Sequence, residues 1–231
     1  MVLVVGISAL PVIVLFFYLK KRVPQFGNWL FIAALAAGSL SMLLASLLQI
    51  TLPAANAGTF LALIYTVFIR NAMTEELGRL LVLILLFWIL PVFYQFDEHE
   101  MSEEQRLLPL YIVVFIGITA GFSFAMLETI SYGMLNLQLV IVRTLTSAPL
   151  HAACAARVSV AAWLIFKGGE AQRGKMVKAV FYGISAVLIH GIYNLLLLFP
   201  SSFAVLPVIL AYIALASALT LAKTKDIRPL D

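Results

Sequence analysis

Long, uninterrupted apolar runs are the feature that most constrains the fold of this 231-residue chain. A helix needs roughly 20 apolar residues to cross a bilayer. The runs are continuous rather than alternating, which favours helices over a β-barrel. The sequence therefore predicts an all-α, polytopic transmembrane helix bundle that forms a single integral membrane domain over residues 1–231. Its candidate spans are 2–19, 28–52, 57–94, 109–134, 143–166, 178–199 and 203–222.

The composition identifies lipid as the solvent of this fold. Hydrophobic residues make up 63% of the chain and charged residues 11%, against roughly 45–50% and 25% in soluble globular proteins. Fifteen basic and 11 acidic side chains are too few to cover a water-soluble domain of this size. The composition excludes a soluble enzyme and a nucleic-acid-binding domain, and the single Cys154 excludes an intramolecular disulfide. We therefore expect the lipid bilayer, and no nucleic acid, as a partner.

The segment 57–94 is too long for one ordinary crossing. As a helix it would extend about 57 Å at about 1.5 Å per residue, whereas the hydrocarbon core is about 30 Å thick. Two crossings would give eight spans, and one crossing plus a broken or non-crossing piece would give seven. Only seven spans put the basic stretches 20–22, 167–178 and 223–228 on one side. The positive-inside tendency then predicts an outside N-terminus and a cytoplasmic C-terminus.

Ionisable side chains interrupt the apolar runs and are the strongest functional signal in the sequence. Each costs roughly 2.5–3.5 kcal/mol at the centre of a membrane helix. A membrane protein retains such groups when they pair, line a wet cavity or do chemistry. The set comprises Arg70, Glu75, Glu76, Arg79, Glu128, Arg143, His151, Arg157 and His190.

Most of these ionisable residues fall into four short sequence motifs, and two of the motifs contain glutamate. Glu75 and Glu76 precede Arg79 by four and three residues, so the arginine can reach either carboxylate on a helix. The motif is either a simple intrahelical salt bridge or a pair in which one acid stays free as a base or ligand. Phe124 and Glu128 share a helical face, and Glu128 has no basic residue within one turn. Glu128 must therefore find a partner on another helix, bind a cation or stay protonated.

The other two motifs contain histidine. Pro149 should bend the helix beside His151, and His190 and Asn194 are four residues apart on one face. Hydrogen bonding between packed helices is the alternative to a functional role for both histidines. Arg157 is expected to extend its charged end toward the interface. With seven spans, His151, His190 and Glu128 all fall in the outer half of the bilayer.

These four motifs, in this order, resemble those of the PrsW family of intramembrane proteases, over roughly residues 70–195. The matching elements are Glu75-Glu76-Leu77-Gly78-Arg79, Phe124 with Glu128, His151, and His190 to Asn194. Arg79 stands where that family usually has lysine, and Asn194 where an acidic residue is common. The wider superfamily of CAAX prenyl endopeptidases and Abi proteins shares the double glutamate. Glu128 favours the PrsW branch, because the CAAX prenyl endopeptidases and Abi proteins typically have a histidine, not a glutamate, at this spacing after the phenylalanine.

The resemblance implies an endopeptidase that cuts membrane-anchored, single-span, anti-sigma-factor-like substrates near the outer face of a prokaryotic plasma membrane. It implies two mechanisms. In one, Zn²⁺ or another divalent metal is bound by the histidines and one or two glutamates, with a remaining glutamate as base. In the other, which uses no cofactor, Glu75 or Glu76 activates water and His190 with Asn194 holds the oxyanion. Arg79 and Phe124 support the site in both, and the possible metal ligands are Glu76, Glu128, His151 and His190.

Two other classes of protein could contain the same residues. A transporter or channel would use the acids and histidines to handle protons or cations. Such a protein should show inverted repeats and broken helices in matching halves, and neither is clear in this sequence. The second of these classes is a catalytically silent scaffold that holds a membrane partner.

Overall fold

The computed structural model describes residues 1–53, 58–93, 110–134, 136–166, 172–200 and 204–223. The described residues form helices and contain no strand. The helices are α1 (Val2–Arg22), α2 (Asn28–Thr51), α3 (Phe60–Ile64), α4 (Thr74–Phe93), α5 (Leu110–Gly133), α6 (Leu137–Phe166), α7 (Gln172–Leu196) and α8 (Val205–Leu221). A short 3₁₀ helix, Pro24–Phe26, joins α1 to α2, and a π-helical segment, Tyr65–Met73, joins α3 to α4.

The predicted class of fold, a helical membrane bundle, is confirmed. Because α3, the π-helical segment and α4 are continuous, the described residues form seven helical segments longer than two turns. Five helices are long and apolar enough to cross a membrane by length and composition, namely α1, α2, α5, α6 and α7. Helix α8 is a shorter apolar helix of 17 residues. The orientation of the termini stays a prediction.

The segment 57–94, for which a broken or non-crossing piece was expected, contains a π-helical segment within a continuous helix, and the non-crossing piece stays a prediction. The wider turns of the π-helical segment displace the backbone carbonyls from regular α-helical partners. The hydroxyl of Thr74 lies 2.6 Å from the Arg70 carbonyl and 2.9 Å from the Asn71 carbonyl, where it satisfies acceptors at the end of the segment. Regular α-helix resumes at this residue. Glu75 and Glu76 therefore occupy the first turn of α4.

Helix α6 is the centre of the bundle, and every residue from 147 to 164 is buried. Small residues let α5 approach it closely. A Cβ atom on Gly117 would lie 2.5 Å from the Ala155 carbonyl oxygen, and one on Gly121 would lie 2.6 Å from Ala152 Cα. Gly117 and Gly121 are one turn apart, so both lie on the face of α5 that contacts α6. This close contact brings the middle of α5 beside the middle of α6.

Arg157 does not extend to the interface as expected. It is buried, and its Nη1 donates to the carbonyls of Ala153 at 2.8 Å and Ala214 at 3.3 Å. Its Nη2 donates to the Ser217 hydroxyl. The Ala214 carbonyl and the Ser217 hydroxyl of α8 give its guanidinium hydrogen-bond acceptors inside the bundle. Arg157 therefore links α6 to α8.

Candidate active site

The first turn of α4 places an arginine between two glutamates. Arg79 is fully buried, and its Nη1 forms an ion pair with Glu76 Oε1. Its Nη2 is 3.7 Å from Glu75 Oε2, too far for a hydrogen bond. The sequence left open which carboxylate the arginine would bind. In the structure it binds Glu76.

His190 on α7 contacts the same two glutamates. Its Nδ1 donates to Glu76 Oε1 at 2.6 Å, and its Nε2 is 3.7 Å from Glu75 Oε2. Glu76 is thus held by a donor from α4 and a donor from α7. Glu75 faces the other ring nitrogen of His190 without a hydrogen bond between them.

His151 on α6 is held from both sides. Arg79 Nη2 donates to its Nδ1 at 2.5 Å, and its Nε2 donates to Glu128 Oε2 at 2.8 Å. Glu128 also forms an ion pair with Arg143, whose Nη2 lies 2.6 Å from Glu128 Oε2. Glu128 therefore finds its partners on another helix, which is one of the three outcomes that the sequence left open.

Phe124 on α5 forms one side of this cluster. Its ring centroid lies 4.0 Å from the Arg79 guanidinium carbon and 5.0 Å from the His151 ring centroid. A cation over an aromatic face is stabilised by the ring quadrupole. Phe124 therefore supports both the arginine and the histidine, and its spacing to Glu128 places the two side chains on one face.

The predicted residues mostly converge, with one exception. Side chains from α4, α5, α6 and α7 meet in one buried cluster, comprising Glu75, Glu76, Arg79, Phe124, Glu128, His151 and His190. Asn194 lies one turn beyond His190 and is half-buried, and among the described residues it makes no hydrogen bond to the cluster. Cys154 is also outside it, because its thiol donates to the Ala186 carbonyl at 3.6 Å.

The residues present fit a divalent metal. One ligand atom each of Glu75, His151 and His190 lie within 4.8 Å of one another, and carboxylate oxygen and imidazole nitrogen are ligands of zinc. Within the described part of the chain, Glu75 Oε2 and Glu76 Oε2 are buried without a hydrogen-bond partner. His190 Nε2 and Glu75 Oε2 are free to bind. His151 would have to exchange its bond to Arg79 or Glu128.

Arg143 lies outside the four sequence motifs but contacts the site in the structure. Arg143, Ser147 and His151 recur every four residues on α6, a spacing that places them on one helical face. That spacing was the signal available in the sequence. The carboxylate it serves, Glu128, is on a different helix, so the pair itself could not be predicted from spacing.

Apolar helices that bury three carboxylates, two histidines and two arginines in one cluster are typical of membrane-embedded proteins whose function resides in that cluster. The chain matches the family model described as PrsW family intramembrane metalloprotease over residues 27–220, and it belongs to this family. It is therefore an intramembrane protease, an integral membrane protein that acts on membrane protein substrates in the lipid bilayer. No curated protein and no solved structure gives a match.

Proposed function

We propose that this protease cuts single-span membrane proteins of the anti-sigma-factor-like class near the outer face of a prokaryotic plasma membrane. The outer-face assignment is supported by where the cluster lies along each helix. Glu75 is early in α4, Glu128 late in α5 and His190 late in α7. In a bundle whose consecutive spans run in opposite directions, these three positions lie at the same end of the bundle. The basic residues at the end of α1 and the start of α7 belong to the opposite end, which is cytoplasmic by the positive-inside tendency.

The observation that carries the chemical proposal is the buried, unbonded Oε2 of Glu75, 3.7 Å from His190 Nε2. The other carboxylates are already held, Glu76 by Arg79 and His190, and Glu128 by His151 and Arg143. Glu76 Oε2 is unbonded as well, but Glu76 is fixed through its Oε1, whereas Glu75 makes no hydrogen bond within the described residues. Glu75 is therefore the carboxylate free to act on a water molecule. General-base loss at such a position typically lowers the rate about 10²–10⁴-fold.

Hydrolysis then follows from the positions of the chain's own residues. Glu75 takes a proton from the attacking water while the water oxygen bonds to the peptide carbonyl carbon. Glu75 then gives this proton to the leaving amine as the C–N bond breaks. Glu76 holds the His190 ring through Nδ1 so that Nε2 faces Glu75. Arg79 offsets the charge of Glu76. Asn194, one turn from His190, is proposed to help hold the oxyanion.

A divalent cation would be held by Glu75, His151 and His190. When bound, it would supply Lewis-acid polarisation of the water and of the peptide carbonyl. A carboxylate has two oxygens, so ligation through one oxygen of Glu75 leaves the other to accept a proton.

Mapping of the cut site tests the substrate class and the outer-face assignment together. Purified protease in lipid nanodiscs is incubated with single-span and two-span substrates, and the products are identified by mass spectrometry. We expect cleavage of the single-span substrate in the outer third of its span. Reporter fusions at Ser102 and Gly169, which lie outside the described residues, should both report cytoplasm. A cut at the cytoplasmic end, or an external reporter signal at Ser102, would contradict the proposal.

A further inference from the structure

Arg143 lies on α6 two turns before His151 and outside the four motifs of the sequence. Its Nη2 is 2.6 Å from Glu128 Oε2 and donates to the Ser147 hydroxyl at 3.4 Å. Its guanidinium carbon lies 4.8 Å from the centroid of the Tyr132 ring. Side chains of both α5 and α6 therefore fix the position of this arginine.

The carboxylate of Glu128 connects Arg143 to the active site. Its Oε2 forms an ion pair with Arg143 Nη2 at 2.6 Å and accepts a hydrogen bond from His151 Nε2 at 2.8 Å. The Arg143 and Glu128 side chains are only 18% and 15% exposed. An ion pair shielded from water in this way is stronger than one on an open surface. Arg143 thus holds the oxygen atom that His151 faces.

The other side of His151 fixes the position of its proton. Arg79 Nη2 lies 2.5 Å from His151 Nδ1. A guanidinium group has donors and no acceptor, so Nδ1 must accept this hydrogen bond and the ring proton must be on Nε2. Nε2 then donates to Glu128. The four side chains are linked in series, in which Arg79 donates to His151, His151 donates to Glu128, and Arg143 forms an ion pair with the same oxygen of Glu128.

We propose that Arg143 is a positioning residue of the protease site, which holds Glu128 as a fixed acceptor and so sets the tautomer and ring orientation of His151. The effect on catalysis rests on the proposed function, whereas the effect on His151 does not. Without Arg143, the Glu128 carboxylate loses its anchor and can rotate away from Nε2. Residues that orient an active-site histidine through its second nitrogen typically contribute about 10–100-fold.

Three variants of the full-length protein in nanodiscs test this role. Arg143→Met removes the charge and the donors while keeping much of the length, and Arg143→Lys keeps the charge and donors at a single nitrogen. Arg157→Met is the matched control, because it removes a buried arginine of α6 that contacts α8 instead of the cluster. We expect Arg143→Met to lower kcat about 10–100-fold with KM near wild type. Arg143→Lys should recover most of kcat.

A spectroscopic readout separates positioning from general damage. The chain has three histidines, so ¹⁵N spectra of histidine-labelled protein can be assigned with single substitutions. In the metal-free protein, we expect His151 to be a single Nε2–H tautomer in the wild type, in Arg143→Lys and in Arg157→Met, and a mixture in Arg143→Met. If Arg143→Met does not insert, Arg143→Gln replaces it in both measurements.

Two results would overturn the proposal. One is an Arg143→Met protein with wild-type kcat and wild-type His151 signals. The other is an Arg157→Met protein whose His151 signals change as much as those of Arg143→Met, because the effect would then be a general loss of packing. If the wild type cuts no substrate, the proposed function fails, and the His151 spectra still decide whether Arg143 positions this ring.

Discussion

His190 Nδ1 lies 2.6 Å from Glu76 Oε1, although 114 positions separate the two residues in the chain. The same carboxylate oxygen accepts from Arg79. Glu76 is therefore the residue through which α4 and α7 are joined at the active site. Its neighbour Glu75 has an Oε2 with no hydrogen-bond partner among the described residues. The two adjacent glutamates thus have different environments. Glu76 holds two helices together, and Glu75 is available for chemistry.

This difference predicts that the two glutamates contribute differently to stability. Glu76→Gln leaves Arg79 buried without its closest counter-charge, and breaking a buried ion pair typically costs about 3–5 kcal/mol. Glu75→Gln replaces an acid that makes no hydrogen bond through Oε2, so its free energy of unfolding should change by less than about 1 kcal/mol. Thermal unfolding in detergent measures both. A Glu75→Gln protein less stable than Glu76→Gln would contradict this assignment.

Arg79 is expected to tolerate lysine only in part. Its Nη1 bonds Glu76 and its Nη2 bonds His151, whereas a lysine has one nitrogen for both partners. Arg79→Lys should therefore lose about 10–100-fold in kcat, and Arg79→Met, which removes the charge, should lose activity altogether. Rates of substrate cleavage by inserted, folded variants are the measurement. Equal rates for the lysine and methionine variants would show that the charge of Arg79 has no separate role.

Metal dependence is the third prediction. A chelator should abolish cleavage and Zn²⁺ should restore it, and His190→Ala should lower the bound-metal stoichiometry measured by elemental analysis. Cys154→Ala is the matched control, because the Cys154 thiol contacts a backbone carbonyl outside the cluster. Its metal content and activity should stay at wild type. Full activity in the metal-free protein would instead support the glutamic mechanism, in which Glu75 alone activates water.

Close packing of α5 on α6 gives the fourth prediction. A Cβ atom on Gly121 would meet the backbone of His151 and Ala152, so Gly121→Ala must separate the two helices. Overpacking of this kind typically costs about 1–3 kcal/mol, and the separation should also lower kcat by displacing Glu128 from His151. Gly183→Ala is the control, because open space surrounds that position on α7. Equal stability of the Gly121→Ala and Gly183→Ala proteins would contradict this prediction.

The sequence predicted the helices better than their ends. Apolar runs located all seven segments, since a bilayer requires them. The run 143–166 begins later than α6, which starts at Leu137, and the run 178–199 begins later than α7, which starts at Gln172. The added turns of α7, 172–177, are mostly polar, whereas those of α6, 137–142, are apolar apart from Gln138. Backbone hydrogen bonding continues the α7 helix into the polar stretch. Hydropathy does not detect those turns of α7.

The candidate site could be predicted as a set of residues and not as a set of contacts. Each residue was identified by the cost of burying it in an apolar run. Which carboxylate Arg79 would bind, and that Glu128 would bind His151 and Arg143, depends on the rotation of four helices against one another. Asn194 shows the limit of spacing, because it shares a face with His190 and makes no hydrogen bond to the cluster within the described residues.

Cleavage of a single-span membrane substrate by Glu75→Gln tests the central claim most directly. The variant keeps the size of the side chain and removes the free carboxylate, and Glu103→Gln makes the same change at an acid that lies outside the described residues. Initial rates are compared in nanodiscs with Zn²⁺ present, for proteins whose unfolding temperatures match. We predict that Glu75→Gln is slower than wild type by about 10²–10⁴-fold and that Glu103→Gln cleaves at the wild-type rate. Cleavage by Glu75→Gln at the wild-type rate would contradict the assignment of Glu75 as the reacting carboxylate.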